Sequence, residues 1–288
     1  MPSGLVLLDK PQGFTSHDAV AKLRRILGTR KIGHAGTLDP MATGLLVLGV
    51  DAGTKLLQFL VGVDKQYLAT IRLGQSTSTD DAEGDVIATK IASGVLLADV
   101  LAEIKKLTGD ILQTPSQVSA IKVDGKRAYD LVREGMEVEL KARPVTVSKF
   151  EVIGEPRITG EFLDLDVLVD CSSGTYIRAL ARDLGVALGV GGHLTALRRT
   201  KVGKYDISGA SQIAENVEML DLGQAARALF PAVELDAKQE IDLIHGKRIQ
   251  ADGADRVCAF FEGRLVAVLD RAGSAYKSVV VFPKDSDG

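Results

Sequence analysis

The stretch Gly33-His34-Ala35-Gly36-Thr37-Leu38-Asp39-Pro40-Met41-Ala42-Thr43-Gly44 sets one carboxylate among three glycines, a histidine and two threonines. Such a segment cannot run as a regular helix. Glycines allow close approach of the backbone or φ > 0, and Pro40 pushes Asp39 into an extended or turn conformation. Asp39 is therefore expected on a loop. The apolar run Leu45-Leu46-Val47-Leu48 that follows reads as a buried strand holding that loop from behind. Asp-Pro before alanine is also how a helix N-cap with proline at N1 looks, and from the dipeptide alone the cap is the commoner reading. A rigid scaffold presenting a loop carboxylate is, equally, how many active sites are built.

The 288 residues, 45% of them hydrophobic, suffice for one large domain and one small one. No apolar run approaches the roughly 18 to 20 residues of a membrane span, and no basic stretch leads into an apolar signal core near Met1. The expectation is a soluble, cytoplasmic protein. Cys171 and Cys258 lie far apart, and His17, His34, His193 and His245 are scattered, so neither a disulfide framework nor a metal site is expected. The net charge of −3 argues against a general nucleic-acid binder, but the charge is segregated. Between Cys171 and Tyr205 the residues Arg178, Arg182, Arg198, Arg199, Lys201 and Lys204 face one acid, Asp183. One basic face for a polyanion fits this, as does ordinary solvated surface.

In chain order, Gly4 to Lys10 is a strand ending at the turn Pro11-Gln12-Gly13, and Thr15 or Ser16 caps a helix that Gly28 ends. Thr54 to Val61 fits a short helix, and Lys65 to Leu73 alternates as a half-buried strand in which Tyr67 is ordinarily a core aromatic. Gly74 to Gly84 is polar and reads as an exposed loop. Leu97 to Leu107 describes an amphipathic helix, and Asp124-Gly125 marks a hairpin turn followed by a short helix from Arg127 to Glu134. Arg143 to Ile153 and Phe162 to Cys171 are strands. Ser172-Ser173-Gly174-Thr175 turns the chain into a helix with the stripe Ile177, Leu180, Ala181, Leu184 and Leu188. Gly192 to Arg199 and Val202 to Ile207 read as two strands, and Gly209 to Leu235 as weakly helical and acidic. Short strands at 248–249, 257–261, 264–269 and 278–282 make the C-terminal part β-rich.

Gly-His-x-Gly-Thr-Leu-Asp-Pro-x-Ala-x-Gly-Leu-Leu resembles, residue for residue, the catalytic motif of the TruB-type tRNA pseudouridine synthases, in their bacterial stand-alone form. Three further segments resemble that family in the same order: Asp9-Lys10-Pro11-x-Gly13-x-Thr15-Ser16, Cys171 to Gly185 with its Gly-Thr-Tyr-Ile-Arg core, and Leu197-Arg198-Arg199-Thr200. A fourth matches at Gln113, Pro115, Ser119, Ala120 and Lys122, but Ser116 replaces a usual proline and Val118 a common aromatic. The resemblance implies an α+β fold, with a mixed, mostly antiparallel sheet and packed helices over residues 1–230. A small β-rich, PUA-like RNA-binding domain would follow over 231–288. It implies a monomer that isomerises a uridine in the T-loop of tRNA, position 55, to pseudouridine without cofactor, metal or guide RNA. Asp39 would be the nucleophile, with Arg178 and Tyr67 beside it. Tyr176 and Leu197 would contact the uridine, and His34 would fill the space of the extruded base. Lys10, Lys122, Arg143, Arg198 and Arg199 are candidates for the RNA backbone.

The chemistry asks for such residues. The N1–C1′ bond breaks, the uracil turns in its pocket and rejoins through C5, so a nucleophile that can leave again is needed, and a carboxylate is one. Attack at C6, attack at C1′ and abstraction of a sugar proton all use the same group. Arg178 pairs with a carboxylate in a planar fork, and Tyr67 could also act as acid or base at C5. Two other classes remain open: an RNA-binding or RNA-folding protein, and a nucleosidase, for which a second acid at glycosidase spacing is not identifiable.

Overall fold

The computed structural model describes residues 3–116, 140–214, 217–282 and 284, and the backbone of 122–123 and 126–127. The two apolar runs near the N-terminus become adjacent strands, β1 (Gly4–Lys10) and β3 (Thr43–Val50), paired antiparallel from Gly4 opposite Val50 to Lys10 opposite Gly44. Both faces of these strands are buried, which is why they lack alternation. Val6, Leu8, Leu46 and Leu48 enter one apolar cluster, and Leu5, Leu7, Leu45 and Val47 another.

These strands belong to a large sheet whose path continues from β3 through Gly192–Val202, Lys65–Leu73, Phe162–Cys171 and Arg143–Val152 to Gly109–Gln113. Numbered in chain order, Ile32–Ala35 is β2, Lys65–Leu73 β4, Gln75–Thr77 β5, Val86–Thr89 β6 and Gly109–Gln113 β7. Lys122–Val123 and Lys126–Arg127 are β8 and β9, Arg143–Val152 is β10, Arg157–Thr159 β11, Phe162–Cys171 β12 and Gly192–Val202 β13. Within this sheet the described pairings are antiparallel except one. β3 and β13 run parallel where Arg198 meets Thr43 and Arg199 meets Gly44. The sheet is thus mixed and mostly antiparallel, as expected.

Helix α1 (Ser16–Leu27) starts at Thr15, whose hydroxyl accepts the Asp18 amide in a capping box, and ends at Gly28 with φ +64°. With α2 (Leu97–Lys106) and α3 (Ile177–Ala187) it covers one face of the sheet through Val20, Leu23, Val100, Ile104, Leu180 and Leu184. A second sheet of four strands follows, formed by Ala232–Glu234, Arg256–Phe261, Arg264–Ala272 and Ala275–Val281.

The differences from expectation are local. Asp51–Phe59 is a 3-10 helix in place of the short helix at 54–61. The polar stretch 74–84 is not an open loop, because β5 pairs with β6 and Thr77 and Asp81 are buried. The two strands expected from Gly192 to Ile207 are one long strand and a two-residue return at Tyr205–Asp206. Ala237–Ile244 is a helix in the C-terminal part. The hairpin around 124–125 is present as paired β8 and β9. Its turn residues, Val118, Ser119, Ala120 and the helix expected from 127 to 134 lie outside the described residues.

Candidate active site

Asp39 caps no helix. The Ala42 amide donates to the Asp39 carbonyl at 3.1 Å, closing a turn, and the chain enters β3 at Thr43. The loop needs two left-handed glycines, Gly36 (φ +79°) and Gly44 (φ +99°). At Gly44 the parallel seam brings β13 so near that a Cβ would lie 2.3 Å from the Arg199 carbonyl oxygen.

Backbone groups along the loop are held from the neighbouring elements. Ser16 Oγ accepts from the Leu38 amide at 2.9 Å and donates to its carbonyl at 3.3 Å. The Gly13 amide reaches the Pro40 carbonyl at 2.9 Å. Arg199 donates through Nε to Leu45 (2.8 Å), through Nη2 to Gly36 (3.1 Å) and through Nη1 to Thr37 (3.4 Å). Lys10 Nζ donates to the carbonyls of Phe14 (2.5 Å), Pro11 (3.1 Å) and Pro40 (3.4 Å). This corrects the expectation that Lys10 and Arg199 meet RNA phosphates. They are 0% and 1% exposed, and the hydrogen bonds they donate go to backbone carbonyls, those of Lys10 to the 11–14 turn and Pro40 and those of Arg199 to Gly36, Thr37 and Leu45. Burial pushes the Lys10 ammonium down to about 8, against the opposing pull of Asp39 and Glu83.

Arg178, in the first turn of α3 and 5% exposed, places Nε 3.0 Å from Asp39 Oδ2. Its Nη1 donates to the Thr79 carbonyl at 2.8 Å and lies 3.4 Å from Asp81 Oδ2. Asp81 is in turn fixed by the Thr79 hydroxyl (2.5 Å) and the Glu83 amide (3.0 Å). Asp81, buried against Arg178, is the member of this site that the sequence did not nominate. Its only signal was membership of a polar segment with three acids.

Asp39 and Arg178 border a cleft of about 280 Å³. Tyr67, on β4 opposite Val169 and Arg199, and Leu197, on β13, form its wall and floor at 8% and 7% exposure. Burial raises the Tyr67 phenol above its ordinary range, so it stays protonated at neutral pH. Lys65, also lining the cleft, is lowered to about 8 by burial and by Arg199. Ser172–Thr175 and Tyr176 complete the rim. The sequence-nominated residues Asp39, Tyr67, Tyr176, Arg178 and Leu197 therefore share one cleft.

The remaining nominated residues lie elsewhere. His34 is outside the cleft, half-buried on β2 and edge-on to His17 with ring centroids 5.9 Å apart. Burial, His17 and Arg199 lower its affinity for a proton, so it is neutral at physiological pH. Arg198 forks onto Asp9 at 2.9 and 2.7 Å and stays partly exposed. Arg143 is exposed at the start of β10. The Lys122 side chain lies outside the described residues. Among those residues no cluster of histidine, cysteine or carboxylate is arranged to hold a metal, and no helix is long and apolar enough to cross a membrane.

From residue 24 to residue 283 the sequence matches three family descriptions. Residues 24–177 match the TruB family pseudouridylate synthase N-terminal domain, 178–231 the tRNA pseudouridylate synthase B C-terminal domain, and 230–283 the tRNA pseudouridine synthase II C-terminal region. The tRNA pseudouridine synthase B of Arthrobacter sp. (strain FB24) is 54% identical, covering 100% of this chain and 99% of its own length. The protein of the same name from Corynebacterium glutamicum (strain ATCC 13032) is 55% identical over 96% of this chain and 95% of its own. Among solved structures, a chain of a Cbf5-Nop10-Gar1 complex superposes with a TM-score of 0.69 at 25% identity, over 97% of this chain and 84% of that one.

Proposed function

The chain belongs to the TruB family of pseudouridylate synthases, and on that premise we propose that it isomerises one uridine in the T-loop of tRNA, with Asp39 as nucleophile. The observation that carries the reading is the Arg178–Asp39 pair at 3.0 Å, on the edge of a cleft walled by a tyrosine and floored by a leucine. Relatives named tRNA pseudouridine synthase B support the substrate class.

The rearrangement is redox-neutral: N1–C1′ breaks, C5–C1′ forms, C5 loses its proton and N1 gains one. Asp39 takes part at the sugar or the base and is released at the end. Arg178 fixes the direction of the carboxylate. A buried, protonated Tyr67 suits the wall against which uracil turns and a hydrogen-bond donor better than a general base. A stacked base must be extruded to reach the cleft, at a cost of a few kcal/mol. His34 would take the vacated place, and Arg143, Arg198 and Lys122 would meet the RNA backbone. The same reading makes residues 231–288 an RNA-binding unit and the enzyme a cytoplasmic monomer that works without guide RNA.

The test is pseudouridine formation in an unmodified tRNA transcript, mapped to the nucleotide, for wild type and Asp39→Asn. Wild type should modify the T-loop uridine, and the variant should bind the transcript and give no product. Tight binding without product from either chain would establish an RNA-binding protein, and release of free uracil a nucleosidase.

A further inference from the structure

We infer that Gln113 is a positioning residue for the catalytic helix, acting through Tyr176; this deepens the functional reading above and rests on it. Helix α3 begins in an unusual way. Its N-cap residue is Tyr176, with φ −100° and ψ 107°, and the side chain of that residue makes no capping hydrogen bond. The hydroxyl, carboxylate or amide that ordinarily fixes the first turn is absent there. Gln113, the last residue of β7, instead holds the N-cap residue itself from a different part of the chain. Its Oε1 accepts from the Tyr176 amide at 2.8 Å, and its Nε2 donates to the Tyr176 carbonyl at 3.1 Å.

A carboxamide presents a donor and an acceptor side by side, so it can satisfy both backbone groups of one residue. Gln113 is 2% exposed, and an amide buried that deeply needs such bonds to offset its desolvation. The clamp sets where the helix starts, and two positions on is Arg178. The same strand end holds the next turn as well, since Arg182 Nη2 donates to the Thr114 carbonyl at 2.7 Å. Tyr176 lines the cleft and Arg178 reaches Asp39, so the amide of Gln113 determines the placement of both.

The test is steady-state pseudouridine formation by the full chain on an unmodified tRNA transcript, read as kcat and KM over a pH series, for wild type, Gln113→Glu and Gln113→Met. A protonated glutamic acid reproduces the donor and acceptor of the amide; ionised, it sets two acceptors against the Tyr176 carbonyl. Burial raises the carboxyl of such a variant above the usual range, bringing the change into the assayable interval. The expected result for Gln113→Glu is a rate that approaches wild type at low pH and falls about 100-fold relative to it at high pH. Gln113→Met should lose a similar factor at every pH. KM should stay within about threefold of wild type, because the misplaced group acts on the chemical step. Should the charged variant not fold, Gln113→Asn keeps both groups on an arm one methylene shorter and decides by the same split of kcat against KM. A Gln113→Glu profile parallel to wild type, or a loss confined to KM, overturns the inference alone. A wild-type chain that makes no pseudouridine overturns the functional reading and the inference with it.

Discussion

Arg178 serves Asp39, the Thr79 carbonyl and Asp81 with one planar group. A lysine is a point charge on a flexible stem and cannot hold a carboxylate in one direction while bonding two others. Arg178→Lys should therefore lower kcat by about 100-fold while tRNA affinity changes little, the range found when a preorganised polar contact is removed from an active site. Single-turnover rates and filter binding on one transcript separate the two effects, and an equal loss in both would argue against a role at Asp39. Asp39 was legible because glycines, proline and threonine surround it in an order that permits little but a presented loop. Asp81 was not. Its segment Ser76 to Gly84 is mostly polar, and polarity alone does not separate an acid in water from one folded under an arginine. Asp81 lies against Arg178 of α3 and is bridged to Leu194 of β13, both distant along the chain, and no local pattern encodes that.

At the scale of elements, the Asp39 loop depends on the parallel seam between β3 and β13. Gly44 carries φ +99° against the Arg199 backbone, so Gly44→Ala meets strain and a 2.3 Å clash at once. An overpacked, strained site of this kind costs several kcal/mol. The variant should unfold at markedly lower urea concentration and lose activity even where it is folded, since the clash displaces Arg199 and, with it, the carbonyls of residues 36 and 37. A wild-type urea midpoint for the variant would contradict this. The elements most legible in the sequence were those with clean periodicity, such as β4, which alternates over nine residues as it does in the structure. β13 was divided in two because its alternation fails. Register shifts between Leu194 and Ala196 and between Arg199 and Lys201 bury Arg199 and Thr200 consecutively. That same irregularity turns Arg199 inward, away from the phosphates its charge suggested. The helix Ala237–Ile244 had a readable signal, the Asp236 to Gln239 capping box, hidden inside a stretch read for its strands.

For the whole molecule, the two sheets share a core. Leu5, Leu7, Leu45 and Val47, on the face of the large sheet away from α1, pack in one cluster with Phe260, Leu265 and Val268 of the C-terminal sheet and with Phe282 just beyond its last strand. Lys55 Nζ donates to the Val281 carbonyl at 2.8 Å, and the Arg256 guanidinium lies 5.1 Å from the Phe59 ring and 5.6 Å from that of Phe230. Truncation after residue 231 should therefore expose a continuous apolar face and yield an aggregating chain. A monomeric, cooperatively folding fragment would show that the shared core is dispensable. Stability of the intact chain should also carry a signature of the buried ammonium groups. Lys65 is held at about 8 in the folded protein against an ordinary 10.5. Below about pH 8 both states carry the proton, and burial of the charge weighs on the folded state. Between 8 and 10.5 the folded protein has released the proton and the unfolded chain has not, so stability rises with pH. Relative to Lys65→Met, which does not titrate, wild type should gain roughly 2–3 kcal/mol between pH 7.5 and 10.5. Urea denaturation of both chains at the two pH values measures it. A difference that stays constant, or moves in favour of methionine, would mean that Lys65 reaches water and that the floor of the cleft is wetter than its burial implies.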